Sequence, residues 1–291
     1  MNRYIRKQRR KRGVVLLIVV VMLAITCLLL YQVAAVSFGR MRQVVRQEKQ
    51  ERERWSVLSL RAVLLPRAGR LIELEERNRN LRGDVGGDMA YTPVTLITGQ
   101  LTLNEVLFHI TLADESAKLC IPKWIAIEPD RSETEIRRLA QQSGLTLNRD
   151  LFVSNVPRQN WCWQDVIYGE GMHAGRSVLE RTDAVSLWGD GRLNIFRSDL
   201  ETLESAWRIA FGHFPPAELI DERKHYPQLS WQELRERLGV RESQLKILDQ
   251  MFTTKSSCFS LRLKETDISV DAGREWLFVN DRDSAHYGFE F

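Results

Sequence analysis

Apolar and polar positions divide this chain into a membrane-length segment, a helical stem, a first β-like region, a helical block and a second β-like region. Val14 to Tyr31 (VVLLIVVVMLAITCLLLY) carries no charge. At 1.5 Å per residue it makes roughly 27 Å of helix, close to the thickness of a bilayer core. Helical character continues from Gln32 to Arg67. Within it, RQEKQERER (46–54) is strongly polar, and Glu48 precedes Arg52 by four residues, the favourable order for a helical ion pair. Trp55, Leu58, Ala62 and Leu65 recur at spacings of three and four, which predicts a packing stripe. A single rod from Val14 to Leu65 would be roughly 78 Å long. Pro66 is expected to kink or interrupt it. Helical spacing resumes from Arg67 to Leu81 through Leu71, Leu74 and Arg77, and GDVGGD (83–88) ends it.

The pattern then changes period. Thr92 to Thr98 and Glu105 to Leu112 are rich in Val, Leu, Ile, Phe and Thr, as strands are. ADESAKLCIPKW (113–124) reads as a turn and a short strand closed by Pro122. Residues 130–252 read as short helices. Ser132 with Glu135 predicts a capping box, and Gly144 a stop. Asp199 is placed to cap DLETLESAWRIAF. Ser230 with Glu233 predicts a second box, opening SWQELRERLG, and Glu242 to Phe252 a last helix. Between these, SLWGDGRLNIF (186–196) reads as strand–turn–strand or as a turn leading to a helix pair. From Cys258 the alternation returns in CFSLRLKE, REWLFVND and HYGFEF, separated by turn residues.

Charge changes the picture at the N-terminus. Arg3, Arg6, Lys7, Arg9, Arg10, Lys11 and Arg12 precede Gly13, and no acid occurs before Glu48. Those seven account for more than the whole formal charge of +4, leaving residues 14–291 at −3. The remainder therefore lacks a global basic footprint for nucleic acid. The basic cluster is expected to stay cytoplasmic, with the bulk of the chain across the membrane. Three readings of this terminus stay open: a plain signal anchor, a secretory signal cleaved near Ala34–Ala35, and a prepilin-like leader cut after Gly13. The apolar run exceeds the usual length of a cleaved signal. Taken alone, the terminus favours the plain anchor, because Val14 and Ile18 stand where most prepilin-like leaders have Phe and Glu.

Candidate chemistry is sparse. No HExxH, GxSxG or Walker A run occurs, and the five histidines are scattered, so no enzymatic activity is expected. Gly189-Asp190-Gly191 with Asn194 leaves a structural calcium loop open, but the ligand spacing of an EF-hand is missing and a glycine turn is favoured. Basic residues at 199–252 are matched by nearly as many acids, which disfavours DNA binding and favours protein docking. Trp161-Cys162-Trp163 reads as a pair of core anchors rather than a carbohydrate or partner platform. Cys120, Cys162 and Cys258 leave room for one disulfide and one thiol.

Six segments resemble the K family of type II secretion minor pseudopilins. They are RGVVLLIVVVMLA (12–24), LRAVLLPRAGRLIE (60–73), ADESAKLCIP (113–122), VSLWGDGRLNIFRSDLETL (185–203), ERKHYPQLSWQELRERLGV (222–240) and TKSSCFSLRL (254–263). Their order covers nearly the whole chain. Phe196-Arg197-Ser198 departs from the Asn-Thr-Ala often found there, and Cys120-Ile121-Pro122 from an Asn-rich strand. The resemblance implies an α+β, pilin-like fold: a long N-terminal transmembrane helix on a small antiparallel sheet, with an inserted helical domain. The implied divisions are a leader (1–13), the transmembrane and pilin-like helix (14–90), the first β part (91–124), the inserted helical domain (125–253) and the completing strands (254–291). Gly13 and Val14 would be the processing site, followed by N-methylation. Ile18 replaces the Glu that serves assembly in other pseudopilins. Trp188, Asp190, Arg192, Asn194 and Phe196 are expected on a partner surface.

The implied partners are other minor pseudopilins at the tip, the major pseudopilin, the inner-membrane secretion platform and prepilin peptidase, with no cofactor. The implied place is the bacterial inner membrane, single-pass, with the C-terminal domain periplasmic. A type IV pilus or DNA-uptake minor pilin and a signal-anchored periplasmic binding domain remain as alternatives.

Overall fold

A computed structural model of the chain describes residues 2–83, 91, 93–148, 151–152, 163–167, 182–225, 229–238, 242–266, 274–281 and 284–290. Contacts divide the chain into residues 1–56 and 57–291. Helix α1 spans Asn2–Leu64. Its apolar segment is long and apolar enough to cross a membrane, and the side chains from Leu16 to Tyr31 are exposed. Arg52 donates to Glu48 at 2.6 Å, as the four-residue spacing predicts. Both side chains are solvated, so the pair contributes only about 0.3–0.5 kcal/mol.

In the second unit Pro66 does interrupt the helix. Leu65–Arg67 forms one 3-10 turn with proline in its first positions, where a missing N–H costs nothing, and α2 follows over Ala68–Gly83. Five antiparallel strands make the sheet: β1 (Leu96–Leu103), β2 (Val106–Asp114), β7 (Phe259–Glu265), β8 (Glu275–Asp281) and β9 (Ser284–Glu290), in the spatial order β1-β2-β7-β8-β9. Residues 115–258 therefore lie between two neighbouring strands. Alternation puts Phe108, Leu112, Leu261, Leu263, Trp276 and Phe278 on one face, packed against Val57, Leu60, Leu65 and Ala68. Gly69 permits the close approach, since a Cβ there would lie 2.9 Å from the Phe259 ring.

The predicted packing stripe is corrected. Of its members in this unit only Leu65 is buried, whereas Leu58 is 39% exposed and Ala62 is also exposed. Apolar residues occupy two sides of this helix, and the sheet takes the Val57–Leu60 side. Spacing alone does not choose between them.

The intervening elements are β3 (Leu119–Cys120), α3 (Ile121–Ile127), α4 (Pro129–Gln142), α5 (Trp163–Val166), β4 (Val185–Ser186), β5 (Leu193–Asn194), α6 (Leu200–Phe211), α7 (Ala217–His225), α8 (Trp231–Leu238), α9 (Glu242–Met251) and β6 (Phe252–Thr253). Their core is centred on Trp124, Trp207 and Phe252, whose rings lie 5.2–5.7 Å apart in the pairs that include Phe252. Two predicted caps are present. Asp199 accepts from the Thr202 N–H at 2.6 Å, and Ser230 and Glu233 exchange backbone-to-side-chain bonds at 2.8 and 3.3 Å. Gly144 adopts φ +73° and closes α4 with bonds from Gly144 N to Gln141 O and Leu145 N to Ala140 O, a Schellman motif.

One expectation fails for a local reason. Ser132 caps nothing at the start of α4, because Pro129 opens that helix a turn earlier; its hydroxyl instead bonds the Trp124 carbonyl. The turn and short strand expected before Pro122 are present, as a 3-10 turn at Glu115–Ala117 and β3, and Pro122 then lies in the first turn of α3. The strand–turn–strand reading of 186–196 is met, with β4 and β5 flanking the turn; β4 pairs in parallel with β3 and β5 in parallel with β6. The turn at 84–88, the predicted stop after α8 at Gly239, Trp161 and Cys162 lie outside the described residues.

Candidate functional site

Gly13 and Val14 lie within α1, and Ile18 is 52% exposed on its apolar segment. The five residues expected on a partner surface divide differently. Gly189 and Gly191, at φ +108° and +88°, form a tight turn. Asp190 accepts from the Arg192 N–H at 2.9 Å and from its guanidinium at 2.6 and 2.8 Å, so that carboxylate is already engaged by a cation. Arg192 is exposed, and Asp190 and Trp188 are half-buried. Trp188 meets Trp163 edge to face with centroids 6.0 Å apart, which places Trp163 in the core as read. Asn194 and Phe196 are 1% and 3% exposed, a correction to their assignment as surface. Asn194 turns inward because its amide accepts from the Phe196 and Arg197 N–H groups and donates to Ser256 at 2.8 Å. Among the described residues no group of three or more His, Cys, Asp or Glu is arranged to hold a metal.

That inward turn leads to a dense polar cluster. Arg197 reaches Glu76 of α2 and Asp114 at the end of β2, both at 3.2 Å. Tyr91 donates its hydroxyl to Glu76, whose same oxygen accepts the Val94 N–H at 3.2 Å. Ser256 donates to Asp114, and the Ser116 N–H reaches the other Asp114 oxygen at 3.0 Å. Asp114 is fully buried, and Glu76 and Arg197 nearly so. Next to it, Glu115 accepts from Lys118 at 2.9 Å and from Ser186 and Ser260 at 2.6 Å each. Ser116 takes the N–H groups of Ser257 and Cys258. Helix α2, the lead into β1, the end of β2 and the loops after β5 and before β7 are thereby fastened at one place.

Burial drives the titration of this cluster. It raises the Asp114 carboxyl above its ordinary range, against the opposing pull of the Ser256 hydroxyl and the Arg197 charge. Burial works against the Arg197 charge too, but Asp114 and Glu76 outweigh it and the guanidinium is held more firmly protonated. Burial and the bond to Glu76 both push the Tyr91 phenol up, so it acts as a neutral donor. Burial lowers Arg223, which donates to the Ser198 carbonyl.

The sealed cluster offers nothing to substrate. It is a joint between the sheet and the helical block. Local reading missed it because its charges are far apart in sequence; the available signal was an Asp-Glu pair ending an apolar strand and an arginine between Phe196 and Ser198.

A surface recess of about 420 Å³ lies between α4 and α6, lined by Leu139, Gln142, Asp183, Asp199, Leu200 and Glu201. Its Asp199 carboxylate is occupied in capping α6. Several basic residues of the helical block are paired internally: Arg208 with Glu135, Arg235 with Asp249 and Arg237 with Glu222. Comparison of the chain with protein-family models, with curated proteins and with solved structures finds no match.

Proposed function

We propose that this chain is a minor pseudopilin of the K type, acting at the tip of a type II secretion pseudopilus and helping to initiate its assembly. One observation carries the reading. A single helix begins with a basic stretch, continues through a membrane-length apolar segment and ends against a small antiparallel sheet, two neighbouring strands of which flank a helical block. Convergence of segments 113–122, 185–203 and 254–263 on the buried cluster adds support, since the resemblance rests on those same segments.

In this reading prepilin peptidase removes residues 1–13, and Val14 becomes an N-methylated terminus. The apolar helix is retained in the inner membrane and then packs among the helices of other pseudopilins. The head faces the periplasm and meets the other minor pseudopilins, and the growing pseudopilus drives folded proteins across the outer membrane. Ile18 has a physical role here. A carboxylate at that position neutralises the terminal amine of a neighbouring subunit in apolar surroundings, where an unpaired charge is costly. A subunit with Ile18 has no such use for a neighbour above it, which suits the top of the filament.

The test is the intact N-terminal mass of the protein from a host with prepilin peptidase and from a peptidase-null host. A peptidase-dependent start at Val14, with added methyl mass, is expected. Retention of Met1–Gly13 in both hosts overturns the proposal.

A further inference from the structure

Beyond its uncharged run, helix α1 carries Arg40, Arg42 and Arg46 before the first acid of the chain, Glu48. All three side chains are exposed, and none has an ion-pair or hydrogen-bond partner among the described residues. Farther along, the cations are matched. Lys49 lies 3.8 Å from Glu53, and Arg52 lies 2.6 Å from Glu48. The helix thus changes, between Arg46 and Lys49, from unopposed positive charge to internal pairing.

Spacing sharpens the contrast. Arg42 and Arg46 are four residues apart and therefore neighbours on one side of the helix, where a like-charge pair is destabilising. An anion held between them turns that cost into a gain. Arg40 is rotated by about 200° from Arg42, onto nearly the opposite side. The three charges therefore encircle the helix rather than line one face. A docked protein covers one face, whereas a surface that the helix pierces meets every side.

Height along the helix points to the same surface. Val14 to Gly39 carries no charge and makes about 39 Å of helix, against a hydrocarbon core of about 30 Å. Centred on that core, the helix carries Arg40 about 6 Å and Arg46 about 15 Å beyond its edge. Helical side chains lean toward the N-terminus, which here is back toward the membrane. Arginine is long enough to bring its guanidinium down to headgroup level, and its planar fork matches phosphate oxygens.

We infer that Arg40, Arg42 and Arg46 form a collar that binds the phosphates of anionic phospholipid headgroups, in the leaflet away from the N-terminus. Net negative headgroups are the match, because a zwitterionic headgroup brings its own cation to each phosphate. No acid on the helix before Glu48 competes for the arginines. The inference rests on the membrane anchor of the proposed function and not on processing at Gly13.

The full chain is reconstituted in nanodiscs of phosphatidylcholine with about one phosphatidylglycerol in five, and lipids retained on release from the disc are identified by native mass spectrometry. Retained lipid is expected to be enriched in phosphatidylglycerol. The triple variant Arg40→Gln, Arg42→Gln, Arg46→Gln keeps the N-terminal basic cluster and should lose about threefold or more of that enrichment. Glutamine is a good helix former, so these exposed substitutions leave the helix in place. Raising salt should erode the wild-type enrichment, since exposed charges are screened. Enrichment that survives the triple substitution belongs to the N-terminal cluster and overturns the inference. Equal retention of the two lipids by an inserted wild-type chain overturns it as well, and leaves the anchor standing. A chain stripped from vesicles by an alkaline wash overturns the anchor and the collar together.

Discussion

Arg197 and Asp114, 83 residues apart in the chain, meet at 3.2 Å in a site where the carboxylate is fully buried. Arg197 also holds Glu76, so one cation sits between two acids from different elements. Arg197→Met should leave both acids without their counter-charge and destabilise the protein by about 3–5 kcal/mol. Denaturant titration of the full chain in micelles measures this. A triple variant with Arg197→Met, Glu76→Gln and Asp114→Asn should recover part of the loss, since the penalty lies in stranded charge. Additive losses instead would place the cost in packing.

Asp114 is expected to give the fold a pH dependence. Its carboxyl is raised from the ordinary 3.8 by burial. The folded state therefore keeps a proton that the unfolded chain has released. This contribution to stability is fully present below the unfolded value and fades as pH rises through the folded one. Asp114→Asn imitates the protonated form and removes the titration. From about pH 4 upward, the variant should gain on wild type as pH rises. The opposite slope would mean that Arg197 keeps Asp114 ionised.

Gly191 combines φ +88° with a close approach, for a Cβ there would lie 2.5 Å from the Lys123 Cβ. Gly191→Ala should cost about 1–3 kcal/mol through both strain and displacement of α3. Gly144→Ala carries the backbone strain alone, since nothing lies within 4 Å of its Cβ position. A smaller loss at Gly144 than at Gly191, by thermal unfolding, checks the distinction.

Asp199 and Ser132 are both polar residues near helix starts, yet they do different work. Asp199→Ala should cost about 1 kcal/mol by uncapping α6, and Asn should restore most of it. Ser132→Ala leaves the start of α4 unaffected and removes a bond to the buried Trp124 carbonyl, at about 1 kcal/mol. Helix-resolved amide exchange separates the two, with faster exchange in the first turn of α6 for Asp199→Ala alone.

These contrasts explain what could be read from the sequence. Asp199, the Ser230–Glu233 box, Gly144 and the alternating C-terminal strands each state their role within four residues. Ser132 carries the same local signature as Ser230, but Pro129 claims the helix start first. Asn194 and Phe196 follow a glycine turn that looks like surface, and only contact with Ser256 and the core shows them facing inward. The charge cluster lay furthest from reach, because Glu76, Asp114 and Arg197 become neighbours only once α2, β2 and the loop after β5 are in place.

The adjacency of β2 and β7 has a consequence for how the protein is made. When Asp114 leaves the ribosome, the β1–β2 hairpin is complete, but its partner strand begins at Phe259. Translation at roughly 5–20 residues per second puts that arrival on the order of ten seconds later. Through that interval Phe108 and Leu112 have no strand to cover their flank, so a newborn chain exposes an apolar ribbon long before the sheet can close. A chain truncated between Asp114 and Phe259 is stranded at that stage, with β2 lacking its β7 partner.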